Sequence, residues 1–303
     1  MDGKRLNNKS ILITGASGYL ASQLIRALRE EGAVVSLLSR TSVDNESAYI
    51  VDITDAEAVR AVIQAVKPDI IYHLAANISR DRDFSIFDTM MQVNAYGTLN
   101  VLSALKELEG VHLIFTSSSE VYGNNASPYT ESQLPRPVSP YSLSKYTAEQ
   151  IIQTYAALHG IPFTILRLFN FFGNNMPEDF FIPQMVNTLL RGEDFLMTKG
   201  EQLRDFLYID DVTEALILAA VQSDSRDELF NVCSGTGTKL ADLAADVNRF
   251  LNTKARVIPG ALPYRENEVW EMIGSTDKIR EKLGFKPKTN ITEGFQLLIK
   301  NTR

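Results

Sequence analysis

Cysteine is almost absent from this chain. Cys233 stands alone, so no disulfide can form within the chain, and the residue reads as a small buried side chain. Histidine is scarce too: His73, His112 and His159 are scattered without metal-ligand spacing, and no metal is expected. Positive charge is in deficit, with 30 Lys and Arg against 37 Asp and Glu and a formal net charge of −7, which argues against a nucleic-acid surface. No apolar run reaches the roughly 20 residues needed to cross a bilayer, and no charged-then-apolar signal opens the chain. Repeats and low-complexity tracts are missing as well. The expectation is a cytoplasmic protein, long enough at 303 residues for a large core and a second, smaller lobe.

Against that background two strings stand out. The first, Thr14-Gly15-Ala16-Ser17-Gly18-Tyr19-Leu20-Ala21, follows an apolar run over residues 10–14 and precedes Leu20, Leu24, Ala27 and Leu28, which share one helical face. Strand, glycine turn and helix form the context of a dinucleotide pyrophosphate site. Gly15 permits the tight turn, Gly18 lets the backbone approach the phosphates, and Ala21 takes the third, close-packed position. Further strands are predicted over residues 34–38, 49–51, 70–74 and 111–115, with helical stretches between them. That alternation predicts an α/β fold with a doubly wound parallel sheet, its ligand at the carboxyl ends of the strands. Asp52 and Ile53 then close the third strand where an adenine would lie, and Leu74-Ala75-Ala76 closes the fourth with room for a cofactor.

The second string is Tyr141-Ser142-Leu143-Ser144-Lys145, four residues from phenol to ammonium. If Pro140 opens a helix, both side chains project from one face, roughly 6 Å apart along the axis. The expected consequence is a Tyr141 pKa lowered toward neutrality, giving a usable acid or base. A Tyr and a Lys four apart are common in helices. The pair gains meaning from Phe115-Thr116-Ser117-Ser118-Ser119-Glu120-Val121-Tyr122-Gly123 at the end of the fifth strand, and residues 124–140 read as a loop crossing over the site.

Together these residues resemble the extended short-chain dehydrogenase/reductase family, which works on nucleotide-linked sugars, over nearly the whole chain. The resemblance implies a Rossmann domain over residues 1–167, with part of 205–233 returning to it, and a mainly substrate-binding lobe over 168–303. It implies catalytic roles for Ser118, Tyr141 and Lys145, with Glu120 as a further acid/base candidate, and a supporting role for Asn94 under the active-site helix. Cofactor contacts are expected from Gly15, Ser17, Gly18, Tyr19, Leu20, Ser39, Arg40, Asp52, Ile53, Leu74, Ala75, Ala76, Tyr141 and Lys145. Asn170 matches a residue that meets the substrate near its diphosphate. Arg204, in Leu203-Arg204-Asp205-Phe206, is the first choice for the phosphates and Arg265 the second, because a guanidinium fork suits phosphate oxygens. Relatives pair the helices corresponding to residues 88–108 and 141–159 as a dimer interface, so a homodimer is expected.

Cofactor choice is read at Leu38-Ser39-Arg40-Thr41, where NAD-binding relatives place a carboxylate. No carboxylate stands there and Arg40 can pair with a 2′-phosphate, so NADP(H) is expected, with NAD(H) as the alternative. Ser39-Arg40, Phe230-Asn231-Val232-Cys233-Ser234-Gly235-Thr236-Gly237-Thr238 and Met272-Ile273-Gly274-Ser275 are similar to segments of GDP-6-deoxy-4-keto-mannose reductases. The leading expectation is therefore a 4-ketoreductase of a nucleotide-linked 4-keto-6-deoxyhexose. Residues 203–212 and Phe169-Asn170-Phe171-Phe172-Gly173 look more like epimerase segments, and Glu120 sits where 4,6-dehydratases carry a glutamate. Those two reactions are the alternatives, and a silent NADP-binding regulator on the same fold is a third.

Overall fold

A computed structural model describes residues 3–44, 46–79 and 81–302. From the N-terminus run β1 (Ser10–Thr14), α1 (Tyr19–Glu30), β2 (Val34–Ser39), β3 (Tyr49–Ile50), α2 (Ala56–Val66), β4 (Ile70–His73), α3 (Phe87–Met90), α4 (Gly97–Leu105), β5 (His112–Ser118), α5 (Pro140–His159) and β6 (Phe163–Leu168). Then follow β7 (Asn170–Phe172), α6 (Phe181–Leu190), β8 (Phe195–Met197), β9 (Leu203–Tyr208), α7 (Ile209–Val221), β10 (Glu228–Val232), β11 (Gly237–Lys239) and α8 (Leu240–Leu251). The chain ends with β12 (Val257–Pro259), β13 (Glu271–Met272), α9 (Asp277–Leu283) and α10 (Ile291–Thr302). Among the described residues no helix is long and apolar enough to cross a membrane.

Seven strands make one sheet in the order β10-β6-β5-β4-β1-β2-β3, parallel throughout. Ile11, Leu12 and Ile13 are fully buried, as an apolar run covered by helices on both faces requires. One core lies between the sheet and α1 and α7 and continues into the C-terminal lobe; the other lies under α2, α4 and α5. The sequence leaves β1 toward β2 on one side and β4 on the other, so the crevice of this fold class opens at the carboxyl ends of β1 and β4. The smaller lobe holds a sheet of β11, β9 and β13, with β7 pairing β9, and a separate β8–β12 pair.

Two elements differ from expectation in ways that shape the site. The fifth strand continues past residue 115 to Ser118, because Thr116, Ser117 and Ser118 remain in register with Leu166, Arg167 and Leu168 of β6. The stretch over residues 88–108 is a broken helix, with a π-helical segment Met91–Tyr96 between α3 and α4. Such a bulge re-aims a side chain within a helix, and here the side chain is Asn94. By contrast α5 opens at Pro140 as expected. Ser139 Oγ accepts from Ser142 N and Ser142 Oγ accepts from Ser139 N, each at 3.1 Å, a reciprocal cap that fixes where the helix begins.

Candidate active site

Gly15 has φ of +72°, and a Cβ there would lie 2.6 Å from the Ala75 nitrogen, so only glycine lets the turn after β1 press against the end of β4. Gly18 caps α1 without a side-chain hydrogen bond, and no acidic residue occupies the first turn, which leaves the positive end of the helix open to an anion. Ser39 Oγ donates to Ser17 Oγ at 3.0 Å and ties this loop to β2. Leu74, Ala75 and Ala76 are half-buried beside the turn, and Ile53 is buried with its carbonyl accepting from Asn100 Nδ2. Leu20 packs on the main core, and the Tyr19 hydroxyl is buried against Gly173. With those two side chains packed into the core, their backbone N–H groups are what they offer a pyrophosphate. The glycine turn, the uncapped helix and the small residues at Ala75 and Ala76 fit a dinucleotide.

Ser118 ends β5, and its Oγ accepts from Glu120 N at 3.2 Å. Tyr141 and Lys145 lie on α5 across from it. Contrary to expectation, the Tyr141 pKa rises: burial pushes it up, the Glu120 carboxylate pushes further, and the Ser118 hydroxyl partly opposes both. Lys145 does not outweigh them. Its Nζ is buried 4.0 Å from the centroid of the Phe115 ring, and burial pushes it down to about 7 despite the Glu149 carboxylate. Burial and Glu120 thus favour the protonated phenol.

A buried relay missed in the sequence joins the cofactor turn to the active-site helix. Thr98 Oγ1 donates to the Asn94 carbonyl at 2.6 Å, so it accepts from His73 Nε2 at 3.0 Å, and His73 Nδ1 accepts from Thr14 Oγ1 at 2.7 Å. Burial, with Lys145 nearby, pushes His73 down to about 3, so it stays neutral. Asn94 Nδ2 donates to Ser144 Oγ on α5 at 2.9 Å and to the Asn77 carbonyl at 3.0 Å, while its Oδ1 accepts from Asn77 N. The supporting role expected of Asn94 is thus a clamp between α5 and the loop after β4. His73 could have been suspected from its place at a strand end; its two threonine partners could not.

On the lobe side Asn170 Nδ2 reaches the Asp205 carbonyl at 3.4 Å. Arg204 pairs with Glu268 at 2.7 Å, both nearly buried, and Arg265 is exposed on the same loop as Glu268. Asp205, fully buried, accepts from the Ser234, Gly235 and Gly274 nitrogens and holds two loops of the lobe together. A cavity of about 380 Å³ lies between residues 124–127 and 268–271. The crossing loop is anchored beside it: Tyr129 is fully buried, its hydroxyl donating to the Gly123 carbonyl at 2.7 Å and its nitrogen to the Ile273 carbonyl at 2.7 Å.

Fold and site define an α/β nucleotide-cofactor enzyme with a serine, tyrosine and lysine at the strand ends. Residues 11–233 match the NAD dependent epimerase/dehydratase family, and the chain belongs to it. The UDP-glucose 4-epimerase of Thermotoga maritima, solved with UDP-glucose, is 28% identical, with a TM-score of 0.90 over 97% of this chain and 98% of that one. A putative UDP-glucose 4-epimerase of Methanocaldococcus jannaschii is 28% identical over 95% of this chain and 97% of its own length. MoeE5, solved with UDP-glucuronic acid and NAD, is 26% identical, with a TM-score of 0.88 over 97% of this chain and 99% of that one.

NAD in that related structure overturns the expectation of NADP(H). The physical reason lies one strand beyond the position read in the sequence. Asp52, after β3, faces the exposed Arg40 at the end of β2, and its pKa is lowered by the Thr54 N–H and hydroxyl with Arg40 adding to the effect. Arg40 therefore shares its surroundings with an anion, and a 2′-phosphate would meet both charges.

Proposed function

We propose that the protein is an NAD-dependent 4-epimerase of a nucleotide-diphosphate sugar. The carrying observation is Tyr141 set against Ser118 at the strand ends, one phenol able to exchange a proton at one substrate oxygen. Ser119 is buried with its Oγ on Met272 Sδ at 3.2 Å, so it brings no second acid beside Glu120. A 4,6-dehydratase must take a proton from C5 and help the C6 hydroxyl depart, whereas an epimerase takes and returns one proton at the C4 oxygen. NAD supplies a reversible hydride acceptor when bound. Tyr141 as phenolate takes the C4 hydroxyl proton and as phenol returns it to the same oxygen, Ser118 donates to that oxygen while it carries charge, and the Lys145 ammonium, one helical turn away on α5, favours the phenolate against the burial that opposes it. Arg204 and Arg265 serve the diphosphate, with Glu268 orienting Arg204, and Asn170 lies beside them. The two relatives named as UDP-glucose 4-epimerases support this reading. The 4-ketoreductase expected from the 39–40, 230–238 and 272–275 segments, and the closeness to GDP-sugar reductases, are not singled out by the relatives and give way to it.

The deciding experiment incubates the protein with UDP- and dTDP-hexoses and catalytic NAD in deuterium oxide. The expected product is inverted at C4, carries no carbon-bound deuterium and leaves nicotinamide absorbance unchanged. Deuterium at C5 in a 4-keto product would instead establish the dehydratase, and stoichiometric oxidation of reduced cofactor by an added nucleotide-linked 4-keto-6-deoxyhexose, with no inversion of the hexoses, would establish the reductase.

The reading includes a homodimer through residues 88–108 and 141–159, where Tyr96 and Leu158 stand exposed. Such a pairing buries on the order of 1,200–2,000 Å². Sedimentation equilibrium at micromolar concentration is expected to give twice the chain mass, and a monomer would contradict the pairing.

A further inference from the structure

Tyr141, Lys145 and Glu149 recur every fourth residue on α5 and share one face. Glu149 is wholly buried. Its Oε1 accepts from Ser117 Oγ at 2.5 Å and from Arg167 Nε at 3.0 Å, and its Oε2 accepts from Arg167 Nη2 at 2.7 Å. Ser117 immediately precedes Ser118 on β5, and Arg167 lies in register with Ser117 on β6. One carboxylate therefore ties the catalytic helix to both strands beneath it. A buried ion pair gains little net stability over an apolar pair of similar volume, so core formation alone gives no reason for charge at this place. Directional bonds do something apolar contacts cannot: they stop α5 from sliding or turning on the sheet.

We propose that Glu149, held by Arg167 and Ser117, is the positioning residue of the active site, setting Tyr141 against Ser118 and keeping Lys145 in its ammonium form. This rests on the reading of Tyr141 and Lys145 as the proton-handling pair. Lys145 meets the Phe115 ring from β5, and feels neutral His73 from β4 and Glu149 from its own helix, on the same face as Tyr141. Arg167, from β6, has its charge bound to Glu149. Of these groups Glu149 is the one whose charge favours the ammonium, against the burial that disfavours it. The sign follows: an ammonium loses its proton as pH rises, and without the carboxylate that loss comes at lower pH.

The test compares Glu149→Gln, Glu149→Asp and the double variant Glu149→Gln with Arg167→Met. The double variant leaves no unpaired charge buried and keeps the question open to measurement if the single variant fails to fold. Two readouts are taken: the pH profile of kcat, and the titration of lysine labelled with ¹³C at Cε, with the Lys145 signal assigned through Lys145→Met. Expected is a fall of about one pH unit in the Lys145 titration for Glu149→Gln, and a smaller fall in the double variant. The alkaline limb of kcat should fall by the same amount, with KM little changed and most of the shift reversed in Glu149→Asp. A Lys145 titration unmoved in both neutral variants would overturn the proposal. A titration that moves while the kcat profile stays in place would leave Glu149 acting on Lys145 and sink the catalytic reading of Lys145 instead.

Discussion

Replacing Tyr141 with phenylalanine is expected to cut turnover by about 10² to 10⁴ while nucleotide-sugar affinity stays within a few-fold. Burial and Glu120 both oppose ionisation of the phenol. Phenylalanine fills the same space, so α5, Ser118 and Lys145 keep their places and only the exchangeable proton is lost. Measuring kcat by product formation and affinity by calorimetry separates the two effects. A fall smaller than about tenfold would move the acid/base role away from Tyr141. Glu120→Gln in the same assay should stay within about tenfold of the parent, since epimerisation asks nothing of a second carboxylate. A loss rivalling that of Tyr141→Phe would return the dehydratase to first place.

Gly15→Ala is expected to destabilise the fold and to raise the dissociation constant for NAD by more than tenfold. At φ +72° a Cβ meets the Ala75 nitrogen at 2.6 Å and its Cα at 2.7 Å, and these backbone atoms cannot swing aside as a flexible side chain would. Left-handed strain of about 1–2 kcal/mol combines with overpacking of about 1–3 kcal/mol. At about 2–4 °C for each kcal/mol, melting should fall by several degrees. Gly110→Ala is the control, because Gly110 has φ of +73° with nothing within 4 Å of the added carbon. That variant should show the backbone strain alone and bind NAD normally. Equal behaviour of the two variants in both assays would show that the β1 turn does not need its close approach to β4.

What could be read from the chain was local. Apolar runs marked the parallel strands because a strand covered on both faces needs no alternation, and the glycine turn was legible because backbone conformation depends on neighbouring residues. Tyr141 and Lys145 were legible for the same reason, since a helix places residues four apart on one face. The limits were physical too. Residues 116–118 are polar and read as the end of β5, yet pairing with β6 keeps them in the strand. The π-helical turn at Asn94 has no periodic signature because it is a single irregular turn.

Charge was where local reading failed. Arg40 suggested a 2′-phosphate until the fold brought Asp52 toward it from the next strand. Lys145 suggested an acidified phenol until burial placed its nitrogen on the Phe115 ring and weakened its own hold on a proton. Arg204 was read as a phosphate ligand, and the fold gave it a carboxylate partner, Glu268, 64 residues further along the chain. The sequence by itself determined five of the seven strands of the parallel sheet and the cofactor turn, set by spacing along the chain, and its resemblance to a family pointed to the serine, tyrosine and lysine. Only the tertiary structure decided which charges face one another and which protons stay bound, because electrostatic energy depends on distance through space and on removal from water, and neither is written in the order of residues.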